Sequence, residues 1–232
     1  MGLPRAHRRP ALGRLIVADP LDTGWALRWI RGAAEVLGEN RALLIDLDRL
    51  IGDADHGENL DRGFSAVVAK LDGTEAPAPP AAVLKLVAMT LMSTVGGAAG
   101  PLYGTAFLRA ATSLGDAEVV DAEAAAAMVL AARDGIAARG KAEVGDKTMI
   151  DAWTPAAESA GAAARAGAPP PGVRAAAANA AHAGAVATEP LIARKGRASY
   201  LGERSAGHQD PGAVSTALIL QAAASAAGID TP

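Results

Sequence analysis

Between Leu21 and Leu50 the apolar residues Trp25, Leu27, Trp29, Ile30, Ala33, Val36, Leu37, Leu43, Leu44 and Leu47 recur mainly three and four positions apart. That is the spacing of an amphipathic helix or a helix pair. Asp22 and Thr23 stand where an N-cap is useful. Gly52 and Gly57 enclose a short acidic turn, after which Leu60, Phe64, Val67, Val68 and Leu71 resume helical spacing. The Pro- and Ala-rich run from Gly73 to Pro80 is expected to be a loop, and the next apolar segment ends in Gly96-Gly97-Ala98-Ala99-Gly100-Pro101, expected to leave the helix. Further helices are predicted over Leu102 to Leu114, Ala122 to Arg139, Met149 to Ala166, Gly172 to Ala193 and Ala213 to Ala227. No strand alternation, internal repeat or domain linker stands out, and two polar connections remain, Gly140 to Thr148 and Lys195 to Gly212.

Composition supports an all-α reading. Half of the 232 residues are hydrophobic but only 3% are aromatic, so the core must be built from Ala, Leu, Val and Ile, which suits closely spaced helices. The length fits one domain, expected over residues 21–232, with Met1 to Pro20 as a flexible basic tail carrying Arg5, Arg8, Arg9 and Arg14. A net charge of −3 with scattered basic residues argues against nucleic acid as a partner. The stretch from Ala81 to Ala99 is interrupted by Lys85, Thr90, Ser93 and Thr94, which argues against a membrane span. With no cysteine, disulfides and thiolate chemistry are excluded; a reducing, cytoplasmic setting is compatible, and any metal site must use oxygen or imidazole.

Asp48, Asp53 and Asp55 lie five and two positions apart. On one helix they would diverge, but a helix running into a Gly52 turn can fold them around one point. Converging carboxylates repel unless cations sit between them, and hard oxygen ligands suit Mg²⁺, which keeps water and phosphate oxygens as further ligands. The glutamate that closes a calcium-binding loop is absent at the required distance after Gly57. The plain alternative is that these aspartates are turn formers and helix caps. The Gly96 to Gly100 turn offers amides to an anion, or simply allows close helix packing. Gly145-Asp146-Lys147-Thr148 is not a P-loop, because Asp146 separates glycine from lysine and no strand precedes it. Arg197 suits phosphate, with an ion pair to Glu203 or Asp210 as its rival reading.

Four blocks, Ile51 to Gly57, Gly96 to Gly104, Gly145 to Met149 and Gly196 to Gly212, resemble in that order the L-subunit family of bacterial dihydroxyacetone kinases. The resemblance runs from about Leu21 to the C-terminus. It implies a barrel of eight antiparallel helices with ADP or ATP at one end and two Mg²⁺ ions held by Asp48, Asp53 and Asp55. It carries nucleotide contacts over to His56, Gly57, Glu58 and Asn59, to Ala98 and Ala99, to Gly140 and Met149, to Arg197, and to Asp210, Pro211 and Gly212. Family members commonly have a hydroxyl residue where this chain has Ala98 or Ala99, so weaker or redistributed nucleotide contacts are expected there.

The implied reaction moves the γ-phosphoryl group to dihydroxyacetone held covalently by a separate K subunit, with bound ADP recharged by a phosphotransferase-system M subunit drawing on phosphoenolpyruvate. Arg197 would stabilise the phosphoryl group, and no general base or nucleophile is assigned to this chain. Kinase action on another small keto-sugar, metal-dependent phosphohydrolysis and non-catalytic nucleotide sensing are the rival readings; a homodimer is compatible with all of them.

Overall fold

A computed structural model describes residues 20–73 and 78–229; the expected basic tail lies outside them apart from Pro20. The described residues form nine α-helices: α1 (Thr23–Glu39), α2 (Arg41–Ile51), α3 (His56–Asp72), α4 (Pro80–Thr94), α5 (Ala99–Leu114), α6 (Ala122–Gly140), α7 (Ile150–Arg165), α8 (Pro170–Ala187) and α9 (Pro211–Ser225). A 3₁₀ helix spans Arg197–Ser205, and no strand occurs among the described residues. Eight of the helices close a ring in the order α1, α3, α4, α5, α6, α7, α8, α9 and back to α1, while α2 packs outside it against α3, α9 and the 3₁₀ helix. The expected eight-helix barrel is therefore present, with α2 as a ninth, capping helix.

Local signals account for most boundaries. Asp22, Asp121 and Asp210 cap α1, α6 and α9 by accepting from the amides of Trp25, Ala124 and Ala213 at 2.9, 2.8 and 2.7 Å. Prolines open α4, α8 and α9, where a missing amide costs nothing. The Leu21 to Leu50 segment is a helix pair, broken at Asn40.

Two predicted boundaries shift. Ala99, Gly100 and Pro101 belong to the first turn of α5, because amides in a first turn have no helical partner and proline is tolerated there. Helix α8 stops at Ala187, not Ala193, and part of the segment expected to be a plain polar connection winds into the 3₁₀ helix.

Small residues allow the ring to close tightly. At Gly184 of α8 a methyl group would collide with the carbonyl of Asp151 on α7, the acceptor that Pro155 leaves without its helical donor. Inside the barrel Trp25 stacks on Trp29 at 5.3 Å between ring centres, and Trp29 meets Phe107 at 5.5 Å. Their indole N–H groups donate to the carbonyls of Ala223 and Ile219 on α9, at 3.0 and 2.8 Å. Arg174 of α8 is also buried, its guanidinium 5.9 Å from the Trp25 ring centre and bonded to the Ala125 carbonyl. Among the described residues no helix is long and apolar enough to cross a membrane.

Candidate functional site

Helices α1, α4, α6 and α8 end at one rim of the barrel, and α3, α5, α7 and α9 begin there. The N-terminal residues of those four border a single open cavity of about 210 Å³. They are His56 and Asn59 of α3, Ala98 and Ala99 at α5, Thr148 and Met149 at α7, and Asp210 to Gly212 at α9. Helix N-termini present unpaired amides and the positive end of the helix dipole, so four facing one space make it strongly receptive to anions. Asp151 shapes the α7 entry by accepting from the amides of Gly145 at 2.5 Å and Thr148 at 2.8 Å.

Against this anion-receptive wall stands the acidic turn. Asp48 closes α2 and Asp53 and Asp55 follow in the link to α3, with one oxygen of each lying within 4.8 Å of the others. The link folds back over Asp48, whose Oδ2 accepts from the amides of Asp55 and His56 at 2.9 and 3.1 Å. Gly52 is required here, since a β-carbon would run into the Asp48 carboxylate. Arg197 meets Asp53 at 3.0 Å. An all-oxygen donor set with surplus negative charge, opening on a cavity wide enough for further ligands, fits magnesium; Asp48, Asp53 and Asp55 are the residues that would hold it.

A buried polar chain leads inward from this rim. His56 Nε2 lies 2.9 Å from Ser215 Oγ, which lies 2.7 Å from the Tyr103 hydroxyl, itself 3.0 Å from Thr216 Oγ1. Ser215 and Thr216 donate to the Gly212 carbonyl at 3.1 and 2.8 Å. Desolvation holds His56 below its usual pKa, against the raising influence of Asp48, Asp55 and Asp53, so the ring is placed as a neutral hydrogen-bonding group. Burial also pushes the Asp210 carboxyl up to about 7, opposed by its cap bond from Ala213.

The DAK2 domain model matches residues 50–225. The chain is 44% identical to the ADP-binding subunit DhaL of PEP-dependent dihydroxyacetone kinase 1 from Listeria innocua serovar 6a, covering 87% of this chain and 95% of that one. It is 45% identical to the corresponding Escherichia coli K12 subunit, with the same coverage. The chain belongs to the DhaL family. Its fold also matches the dihydroxyacetone kinase of C. freundii, with a TM-score of 0.67 at 24% identity over 97% of this chain and 38% of that longer one.

Most residues that the DhaL resemblance singles out meet at the cavity: Asp48, Asp53, Asp55, His56, Asn59, Ala98, Ala99, Met149, Arg197, Asp210, Pro211 and Gly212. Three stand outside its wall. Gly57 is buried where α3 crosses the Arg41 carbonyl, Glu58 is exposed and paired with Arg41 at 2.7 Å, and Gly140 ends α6 behind Leu102, which does line the cavity. The ion pair of Arg197 is with Asp53, neither of the partners expected as its rivals. Sequence reasoning missed Lys147, Thr148 and Lys195 in the wall, and Ser215 and Tyr103 behind His56. A DhaL signal for Tyr103 was within reach, since it lies inside the Gly96 to Gly104 block.

Proposed function

We propose that this chain is the nucleotide-carrying subunit of a phosphoenolpyruvate-dependent dihydroxyacetone kinase, built as one helical domain from residue 21 onward and acting in the cytoplasm. The observation that carries the reading is the juxtaposition of three carboxylates with four helix N-termini around one cavity. Cation and polyphosphate sites then share a wall. Two Mg²⁺ ions are held by Asp48, Asp53 and Asp55, and when bound they supply positive charge beside the transferring phosphoryl group. The amides at the starts of α3, α5 and α9 bind the phosphates of ADP or ATP, and His56 and Asn59 orient them. Leu102 and Met149 give the base an apolar seat, with Gly140 behind it. Arg197, exposed beside Asp53, neutralises charge on the phosphoryl group as it passes to dihydroxyacetone on the K subunit. No side chain of this subunit needs to act as a base. ADP then stays in place to be recharged by the M subunit.

Native mass spectrometry of the purified chain with magnesium tests the first half: ADP with two magnesium ions is expected to survive gentle ionisation. Reconstitution with K and M subunits and phosphoenolpyruvate tests the second, with dihydroxyacetone and other small keto-sugars offered in parallel. Phosphate release by the isolated chain, independent of any K subunit, would replace this reading with a metal-dependent phosphohydrolase. Retention of ADP with no transfer to any sugar would leave a nucleotide sensor.

A further inference from the structure

Lys147 lies in the segment that mimics a P-loop, and it borders the nucleotide cavity, yet its side chain is turned away from that role. Its residue exposure is 1%, and its ammonium donates to three backbone carbonyls: Ser205 at 2.6 Å, Leu191 at 3.0 Å and Glu189 at 3.3 Å. An ammonium has three N–H donors. All three are engaged, so a phosphate oxygen could be served only by giving up a carbonyl.

The carbonyls come from either side of Arg197, two before it and one after. Together they gather the two ends of the 189–205 segment onto one cation. Other bonds zip the same neck: the Arg194 amide donates to the Asp146 carbonyl at 3.0 Å, and the Ala193 amide to Ser205 Oγ at 2.9 Å. Lys147 itself holds a left-handed backbone, φ +62°, which a lysine adopts at a cost unless its surroundings impose it. Arg197 begins the 3₁₀ helix inside this closed segment and reaches the acidic turn from there.

We infer that Lys147 is a positioning residue for phosphoryl transfer: its three-carbonyl cage fixes the 189–205 segment so that Arg197 is presented to the metal-binding turn. The inference rests on the reading of Arg197 as the group that serves the phosphoryl. Burying an ammonium costs free energy, and here three charge-assisted hydrogen bonds to carbonyls offset that cost and the entropy of ordering the loop.

A double-mutant cycle tests it in the complex with K and M subunits and phosphoenolpyruvate, reading kcat/KM for dihydroxyacetone phosphorylation. Arg197→Ala is expected to lose roughly 100-fold. Lys147→Met is expected to lose most of the same factor, and the double variant little more than Arg197→Ala alone. Losses that multiply, or a Lys147→Met enzyme as fast as the parent, overturn the inference. Should Lys147→Met not fold, Lys147→Gln, which keeps two donors, enters the same cycle with an intermediate loss expected. Hydrogen exchange on the isolated subunit separates this idea from the one beneath it. Faster exchange confined to 189–205 in the Lys147 variant supports the cage even if the parent transfers no phosphoryl group, and unchanged exchange there overturns it.

Discussion

Asp53→Asn reverses the sign of its effect between the metal-free and loaded protein. With an oxygen of each aspartate within 4.8 Å of the others, every carboxylate pair repels by about 1 kcal/mol at the dielectric constant of water and about 3 kcal/mol at an effective value near 20. Asp53 takes part in two of the three pairs. Its exposure, 34% for the side chain, favours the lower figure, so neutralising it relieves about 2 kcal/mol. Against this stands the lost ion pair with Arg197, which at 71% exposure of the arginine contributes about 0–1 kcal/mol. The metal-free variant is therefore expected to unfold at equal or higher urea concentration than the parent. The loaded variant should bind magnesium and ADP about 10-fold to 100-fold more weakly, since attraction for the cations falls with the charge. Urea denaturation in chelator and calorimetric titration of ADP with magnesium measure the two arms. A variant that is less stable without metal and binds ADP normally would refute the assignment of the turn as a cation site.

Other outcomes follow from the same geometry. Ser215→Ala breaks the link between His56 and Tyr103 inside α9, and should cost about 1 kcal/mol in urea unfolding together with a several-fold weaker ADP affinity; an affinity equal to the parent's would remove His56 from the binding set. Arg174 is fully desolvated, its pKa drawn down to about 10, and it bonds a carbonyl with Nε and Nη1 unpaired, so Arg174→Met should leave the fold equally or more stable. A loss above about 2 kcal/mol would show that the cation is needed inside the barrel. Asp210 has a raised pKa, so the folded protein binds its proton more tightly than the unfolded chain does. Stability should decline as pH rises from about 4 towards 7 in magnesium-free buffer. Asp210→Asn, which can still cap α9, should flatten that decline in urea titrations at stepped pH.

The acidic turn was legible in the sequence because its chemistry is local: eight residues hold all three carboxylates and the glycine that folds them together. The helices were legible for the same reason, down to the aspartate cap of α1, whereas the cap that Asp210 gives α9 came only with the structure. What pattern reading could not supply were partners far apart in the chain. His56 and Ser215 are 159 positions apart, and Lys147 finds its carbonyls 42 to 58 positions on. Glycine and proline were over-read near Pro101, where the helix had already begun and the missing amide was of no consequence. Conversely, alanine-rich spacing carried α8 to Ala193, although the Thr188 hydroxyl turns back to the Ala185 carbonyl at 2.6 Å and the chain leaves the helix.

The up-and-down alternation of the ring has a topological corollary. Helix α1 starts, and α9 finishes, at the rim away from the cavity. The Arg28 side chain reaches the Ala226 carbonyl at 3.2 Å, and the Leu21 carbonyl accepts from Val120 in the α5–α6 connection. A short peptide could bridge residues 20 and 229 there and fresh ends be cut between α5 and α6. Such circular permutants, or domains spliced into that rim, would leave the ligand-facing loops undisturbed.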